Sequence, residues 1–255
     1  MTSTARARRL PAISAPIASR QNPHAKFIRS LWQRKERERT GLCFVEGVRL
    51  VAEAAGSDTE IESLIVAPDL LASELGWQLA IQQRRAGVPY RECSAEAFRS
   101  ISLRESPQGI GAVVRQRWTT LAQFQPADGP GWVALDGVRD PGNLGTILRT
   151  CDAAGSAGVI LLGHTADPYD PVAVRASMGA GFALRLARAS FAELLEWQHQ
   201  QGYALVGTSG SAPMDYRAAV YRPPVVLLMG NERSGLSAEQ QAQCDLMVRI
   251  PMAGR

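Results

Sequence analysis

The stretch "DGVRDPGNLGTILRTCDAAG" (Asp136–Gly155) decides how the second half of this chain is read. It follows the apolar run "WVALD" and leads into a helical pattern from Asn143 to Ala154. A strand, a glycine turn and a helix in that order open an α/β unit, and ligands of such sheets sit beyond the carboxyl ends of the strands. The turn is no dinucleotide fingerprint. "GNLGTI" is G-x-x-G rather than G-x-G-x-x-G, and no acid stands at the next strand end. It is no phosphate loop either, because no G-K-[ST] follows. What remains is a helix N-terminus with Asn143 at its start and Arg149 six residues on, between one and two turns along the helix.

Two further glycine turns follow apolar runs. One is "GTSGSAPMD" after "YALV", and the other is "MGNERSGLS" after "PPVVLL", which carries Asn231, Glu232 and Arg233. Taken singly, Gly142, Asn143 and Gly145 need be no more than a turn and a cap. Turn-making alone calls for neither repeated amides nor an Arg–Glu pair, so the first turn and the one carrying Asn231, Glu232 and Arg233 together point to a ligand site.

Working outward, the alternation continues. "GVILLG", "LRLAR", "YALVG", "PPVVLLMG" and "LMVRI" read as strands, and their nearly unbroken apolar character fits a parallel sheet covered on both faces. "PVAVRASMGAGF" reads as a helix. "SFAELLEWQHQQG" is a helix capped by Ser190 and stopped by Gly202, and "SAEQQAQCD" is a short one. Upstream, "PHAKFIRSLWQRKERER" reads as one helix with Phe27, Ile28 and Leu31 inward. The strands "LCFVEG", "IESLIVA", "VPYREC" and "QGIGAVVRQ" then alternate with the helices "VRLVAEAAG", "WQLAIQQRRAG" and "SAEAFRSISL". The expected organisation is a flexible basic arm at 1–22, a small α/β domain at 23–117, a polar linker at 118–130 and a parallel-sheet α/β domain at 131–255.

The chain has 255 residues, 45% hydrophobic and 20% charged, with a formal net charge of +4. That supports real cores and argues against wholesale disorder. No apolar run approaches membrane-spanning length, and the basic N-terminus lacks the apolar core of a secretory signal. Four scattered cysteines and three histidines show no C-x-x-C pair and no ligand spacing, so no metal site is expected and a reducing cytoplasm fits. The charge is uneven. Residues 1–39 carry ten Lys or Arg (six, eight and nine, then Arg20, Lys26, Arg29, Arg34, Lys35, Arg37 and Arg39) against Glu36 and Glu38, an excess of +8, and the rest of the chain stands at −4. Polyanion binding and a solvated tail are the two readings of that excess. On the first, Lys26, Arg29 and Arg34 are contacts to the polyanion.

At this point the motifs resemble those of the SpoU-type RNA 2′-O-ribose methyltransferases of the knotted SPOUT superfamily. "NLGTILR" (Asn143–Arg149) resembles the first motif, "LMGNERSGLS" the second and "IPMAG" (Ile250–Gly254) the opening of the third. "FVEGVRLVAEA" and "SPQGIGAVV" resemble the ribosomal-protein-like substrate-binding domain fused ahead of the catalytic one. In that family the third motif runs on into a Ser-Leu-Asn stretch and a helix through the trefoil knot, and this sequence ends at Arg255 without them. The resemblance implies S-adenosylmethionine as methyl donor and RNA as substrate, with large-subunit ribosomal RNA favoured over transfer RNA by the separate N-terminal domain. It implies a homodimer through the second domain. It assigns Asn143, Arg149 and Glu232 to catalysis, and Thr208, Gly210, Met229, Gly230, Ile250 and Met252 to the donor pocket. It places Arg139 at the RNA, against the alternative of a solvated loop charge. An arginine pKa above about 12 argues for Arg149 as a clamp on phosphate and developing alkoxide rather than a base. Glu232 would then hold Arg149 or accept from the 2′-hydroxyl, and Asn143 would fix the arginine or the ribose. The rival from another class is a non-catalytic RNA-binding protein, which cofactor binding would separate.

Overall fold

The structure, a computed structural model, describes residues 16–124 and 131–253. The chain divides into two compact units.

The first unit opens with α1 (Pro23–Ser30) and α2 (Arg34–Thr40). It continues through β1 (Leu42–Glu46), α3 (Val48–Gly56), β2 (Ile61–Val66), α4 (Glu74–Arg85), β3 (Tyr90–Glu92), α5 (Ala95–Ile101) and β4 (Ile110–Arg115). Its sheet has the order β1-β4-β2-β3, antiparallel except for the parallel β2–β3 pair. Helix starts follow their side chains: Asn22, Ser73 and Ser94 each accept from a backbone N–H of the first turn.

Two expectations need correction here. The single helix expected over 23–39 breaks at Leu31–Gln33, although Ile28 and Leu31 are buried and Phe27 is partly buried, as the pattern requires. The arm expected to be flexible through residue 22 is pinned from Ile17 onward. Ile17 is 1% exposed, its N–H donates to the Glu92 carbonyl and its carbonyl accepts from Ser94. Residues 1–15 of that arm lie outside the described residues.

The break between α1 and α2 has a use. Arg37, 1% exposed, donates to the Leu31 and Trp32 carbonyls left over by that break and to Asp170 Oδ2 at 3.2 Å. A buried guanidinium requires such partners. Arg37 therefore leaves the basic excess counted from sequence.

The second unit begins at Arg117. The expected linker is partly core: Phe124 is buried and stacks on Trp132 at 3.8 Å, and Trp132 Nε1 donates to Tyr203 Oη at 3.0 Å. Residues 125–130 lie outside the described residues. Then come β5 (Gly131–Asp136), α6 (Pro141–Ala153) and β6 (Gly158–Leu162). Segment Tyr169–Ala183, with α7 (Pro171–Ala176), belongs to the first unit. The expected helix "PVAVRASMGAGF" stops at Ala176, and Met178 has φ 57° before a 3-10 turn at Ala180–Phe182. The second unit resumes with β7 (Leu186–Ala189), α8 (Phe191–Gln201), β8 (Ala204–Thr208), β9 (Met214–Asp215), β10 (Val225–Met229), α9 (Ala238–Ala242) and β11 (Leu246–Arg249). The order is β7-β6-β5-β10-β8-β11-β9, and every pairing is parallel. The short β9 was not expected; it lies inside what reads as a glycine turn. The strand order reverses beside β5, so the crevice between the loops after β5 and β10 is the topological switch point.

Candidate active site

The β5 loop and the β10 loop are tied together by side chains 89 and 94 residues apart. Gly137, at φ 68°, turns the chain out of β5, and Asp140 caps α6 by accepting from Asn143 N–H at 2.7 Å. Asn143 Nδ2 then donates to Glu232 Oε1 at 3.1 Å. Asn231 Nδ2 donates to the Gly137 carbonyl at 2.7 Å and to Glu232 Oε2 at 3.2 Å. Asn231 Oδ1 accepts from the amides of Arg233 and Ser234, which closes its own turn. The Glu232 carboxyl is held below the usual carboxylate range by its own backbone amide, by Asn143, and by the amides of Arg139 and Asp140. Its oxygens are thus largely engaged with protein donors.

Arg149 stands elsewhere. It lies on the exposed face of α6, and among the described residues no hydrogen bond or ion pair holds it. Asn143 and Glu232 meet, and Arg149 joins neither.

Gly230 serves the turn itself. A Cβ there would lie 2.4 Å from the Gly235 carbonyl carbon and 2.6 Å from the Leu236 amide, both backbone. Register brings Thr208, Met229 and Val248 to one level at the carboxyl ends of β8, β10 and β11. Beyond them the surroundings change. A Cβ on Gly210 would meet nothing within 4 Å, and Ile250 and Met252 are 65% and 82% exposed. Thr208 Oγ1 donates to the Leu228 carbonyl at 3.3 Å. Arg249 Nη1 donates to the Ala212 and Pro213 carbonyls and so holds the 209–213 loop. The backbone of the 208–212 turn is thus open to a ligand at Gly210, and the apolar side chains of Ile250 and Met252 stand exposed after β11.

Three residues here were missed as site residues: Asp140, Asn231 and Arg249. The Asp-Pro pair at the start of α6 is a cap signal that reveals the first. Asn231 sits in the quoted second turn but contributes through a contact 94 residues away, and Arg249 reads as an ordinary strand-end charge. Among the expected RNA contacts, Lys26 is exposed, Arg34 pairs with Glu38 at 2.8 Å, and Arg29 donates to Ser100 and to the Arg20 carbonyl. Among the described residues no His, Cys, Asp or Glu group is assembled to hold a metal ion, and no helix is long and apolar enough to cross a membrane.

Residues 131–255 match the SpoU rRNA Methylase family, and residues 22–112 match the MRM3-like substrate binding domain. Over 98% of its length, and 88% of the relative's, the chain is 31% identical to the 23S rRNA (uridine(2479)-2'-O)-methyltransferase of Streptomyces viridochromogenes. The chain belongs to the SpoU rRNA methylase family. It is also 29% identical to the 23S rRNA (guanosine(2553)-2'-O)-methyltransferase RlmP of Bacillus subtilis (strain 168), over 94% of this chain and 91% of that one. The crystal structure of an AdoMet-bound rRNA methyltransferase from Sinorhizobium meliloti superposes with a TM-score of 0.85 at 39% identity, covering 94% of this chain and 90% of that one. The fold is therefore the mixed α/β architecture of the SPOUT enzymes, with an N-terminal domain in front.

Proposed function

We propose that this SpoU-family chain transfers a methyl group from S-adenosylmethionine to a ribose 2′-hydroxyl of ribosomal RNA, in the large subunit. The observation that carries the reading is the Asn143–Glu232 bond, which joins the family's first two motifs at the switch point of the sheet. When bound, S-adenosylmethionine supplies an electrophilic methyl group on a sulfonium. Thr208, Gly210, Met229, Gly230, Ile250 and Met252 are the residues to hold it, through strand-end backbone and the exposed apolar faces of the last two.

The 2′-hydroxyl is a weak nucleophile, so the protein has to orient it and balance the charge it develops. A carboxylate as fully occupied as Glu232 is a poor proton acceptor. It positions Asn143 and the β5 loop instead, leaving Asn143 Oδ1 to face substrate. Arg149 offers its planar fork to a phosphate or the developing alkoxide. Support for RNA affinity comes from the exposed Lys26 and from Arg139; the first unit, with Tyr169–Ala183, is the RNA-binding half and the second unit the transferring half. The enzyme works in the cytoplasm as a homodimer. Supporting the dimer are Met214 and Tyr216, apolar and exposed on and beside the edge strand of the sheet.

The test is Arg149→Ala assayed on 23S rRNA transcribed in vitro with labelled S-adenosylmethionine. Methyl transfer should fall by about two to three orders of magnitude with fold and donor affinity retained. Arg149→Lys should fail as well, since a point charge does not replace the fork. Wild-type turnover in either variant would overturn the assignment.

A further inference from the structure

The switch-point crevice holds a cavity of about 990 Å³, and none of the six donor-pocket residues lines it. Its wall carries three acids and three basic side chains. The acids are all engaged by the protein. Asp136 accepts from Gln240 at 2.5 Å, Asp140 caps α6, and Glu232 is clasped by Asn143, Asn231 and backbone amides. Arg139 and Arg233 are exposed, line the same cavity and have no protein acceptor among the described residues. His164, on the loop after β6, lines it too and is exposed.

The groups left to meet a ligand are therefore two cations and one flat ring, although the wall carries three acids against two arginines. The Arg139 and Asp140 amides ahead of α6 are taken by the Glu232 carboxylate and the Asn143 amide by Asp140, so anion recognition falls to the arginine forks. Guanidinium forks match phosphate, and an imidazole ring offers a face for a base.

We infer that this cavity seats an RNA nucleotide next to the target ribose, with Arg233 joining Arg139 on the phosphate and His164 stacking on the base. The inference rests on the proposed function, since it takes RNA to be the substrate. The cavity is large enough for a nucleotide and lies beside Asn143, where the ribose would be presented. Arg233 and His164 are then RNA-positioning contacts to which the motif resemblance gives no role.

The same anion chemistry could come from the carboxylate of S-adenosylmethionine, and the experiment separates the two sources. Full-length chain and the variants Arg233→Ala, Arg139→Ala/Arg233→Ala and His164→Ala are compared on unmodified 23S rRNA made in vitro, at several salt concentrations. Donor affinity is measured by calorimetry without RNA. Arg233→Ala should weaken RNA binding roughly tenfold and lower the log–log salt slope by about 0.7, the double variant by about 1.4. His164→Ala should weaken binding about fivefold or more with the slope unchanged, because stacking releases no counterions. Donor affinity should not change in any of them. The side chains are exposed and make no hydrogen bond or ion pair among the described residues, so melting temperatures should match wild type and report that folding is intact.

An unchanged slope in both arginine variants overturns the phosphate assignment. A loss of donor affinity with RNA binding intact assigns the arginines to the donor carboxylate and overturns it too. Wild-type RNA affinity in His164→Ala removes the stacking contact. A wild-type chain that methylates no RNA would sink the proposed function, while an altered slope in the variants would still stand.

Discussion

The two glycine turns at the carboxyl end of the second sheet look alike in sequence and differ in structure. Around 230–235, Gly230 lies against the backbone of Gly235, Asn231 bonds across to the β5 loop, and Glu232 is held by donors from both loops. Around 208–212, Gly210 has empty space at its Cβ position, and Ser209 and Ser211 bond mainly to each other. The first turn uses its missing side chain to close on itself. The second leaves its missing side chain open to whatever enters. Glycine in a strand-end turn is thus two different signals, and sequence alone does not separate them.

That contrast can be broken most sharply at Gly230. Gly230→Ala should cost about 3 kcal/mol of stability, because the added carbon meets backbone that has to move. Urea unfolding decides it, and a neutral result would mean the turn opens freely. A branched residue placed at 230 to block the donor would report on folding first and on the donor only second.

Gly210→Val comes next in size and should behave in the opposite way. It should abolish S-adenosylmethionine binding in calorimetry and leave the unfolding free energy within about 0.5 kcal/mol of wild type. Unchanged donor affinity would place the donor elsewhere.

The smallest expected effect belongs to Glu232. Folding depresses its pKa, so the carboxylate's contribution is full above the ordinary carboxylate range and fades as pH falls through the depressed value. The stability gap between wild type and Glu232→Gln should therefore be constant from pH 8 down to about pH 5 and shrink below it. A gap that closed between pH 7 and 6 would mean that the carboxylate is not held by donors.

How much of this was legible follows from where the forces act. Ser94, Ser190, Ser237, Gly87 and Gly202 mark their helix ends locally, and α5, α8 and α9 stand where the sequence puts them, while α4 starts at Glu74, three residues before the expected Trp77. The parallel sheet was legible in its unbroken apolar strands. Asn143 and Glu232 were legible as site residues only through their motif resemblance, which pointed each of them at Arg149 or the substrate; the bond between the two was not expected. Contacts carried by distant residues were not legible. Arg37 reads as one more charge in "RKERER", and its burial depends on a break in the preceding helix and on Asp170, 133 residues away. Strand β9 is two residues long and borrows its order from Arg249, so no period announces it.

The Arg37–Asp170 contact bears on how the gene can be cut. The first unit is not a contiguous stretch of sequence: a fragment ending near residue 117 omits Tyr169–Ala183 and with it the acceptor for a guanidinium that is 1% exposed. Such a fragment would carry an uncompensated internal cation, of a kind that typically destabilises by about 3 to 5 kcal/mol. A truncation mapped on the sequence boundary would then report loss of RNA binding where the real loss is of folding. A circular permutant that rejoins the 169–183 segment to the N-terminal half is the faithful way to isolate it.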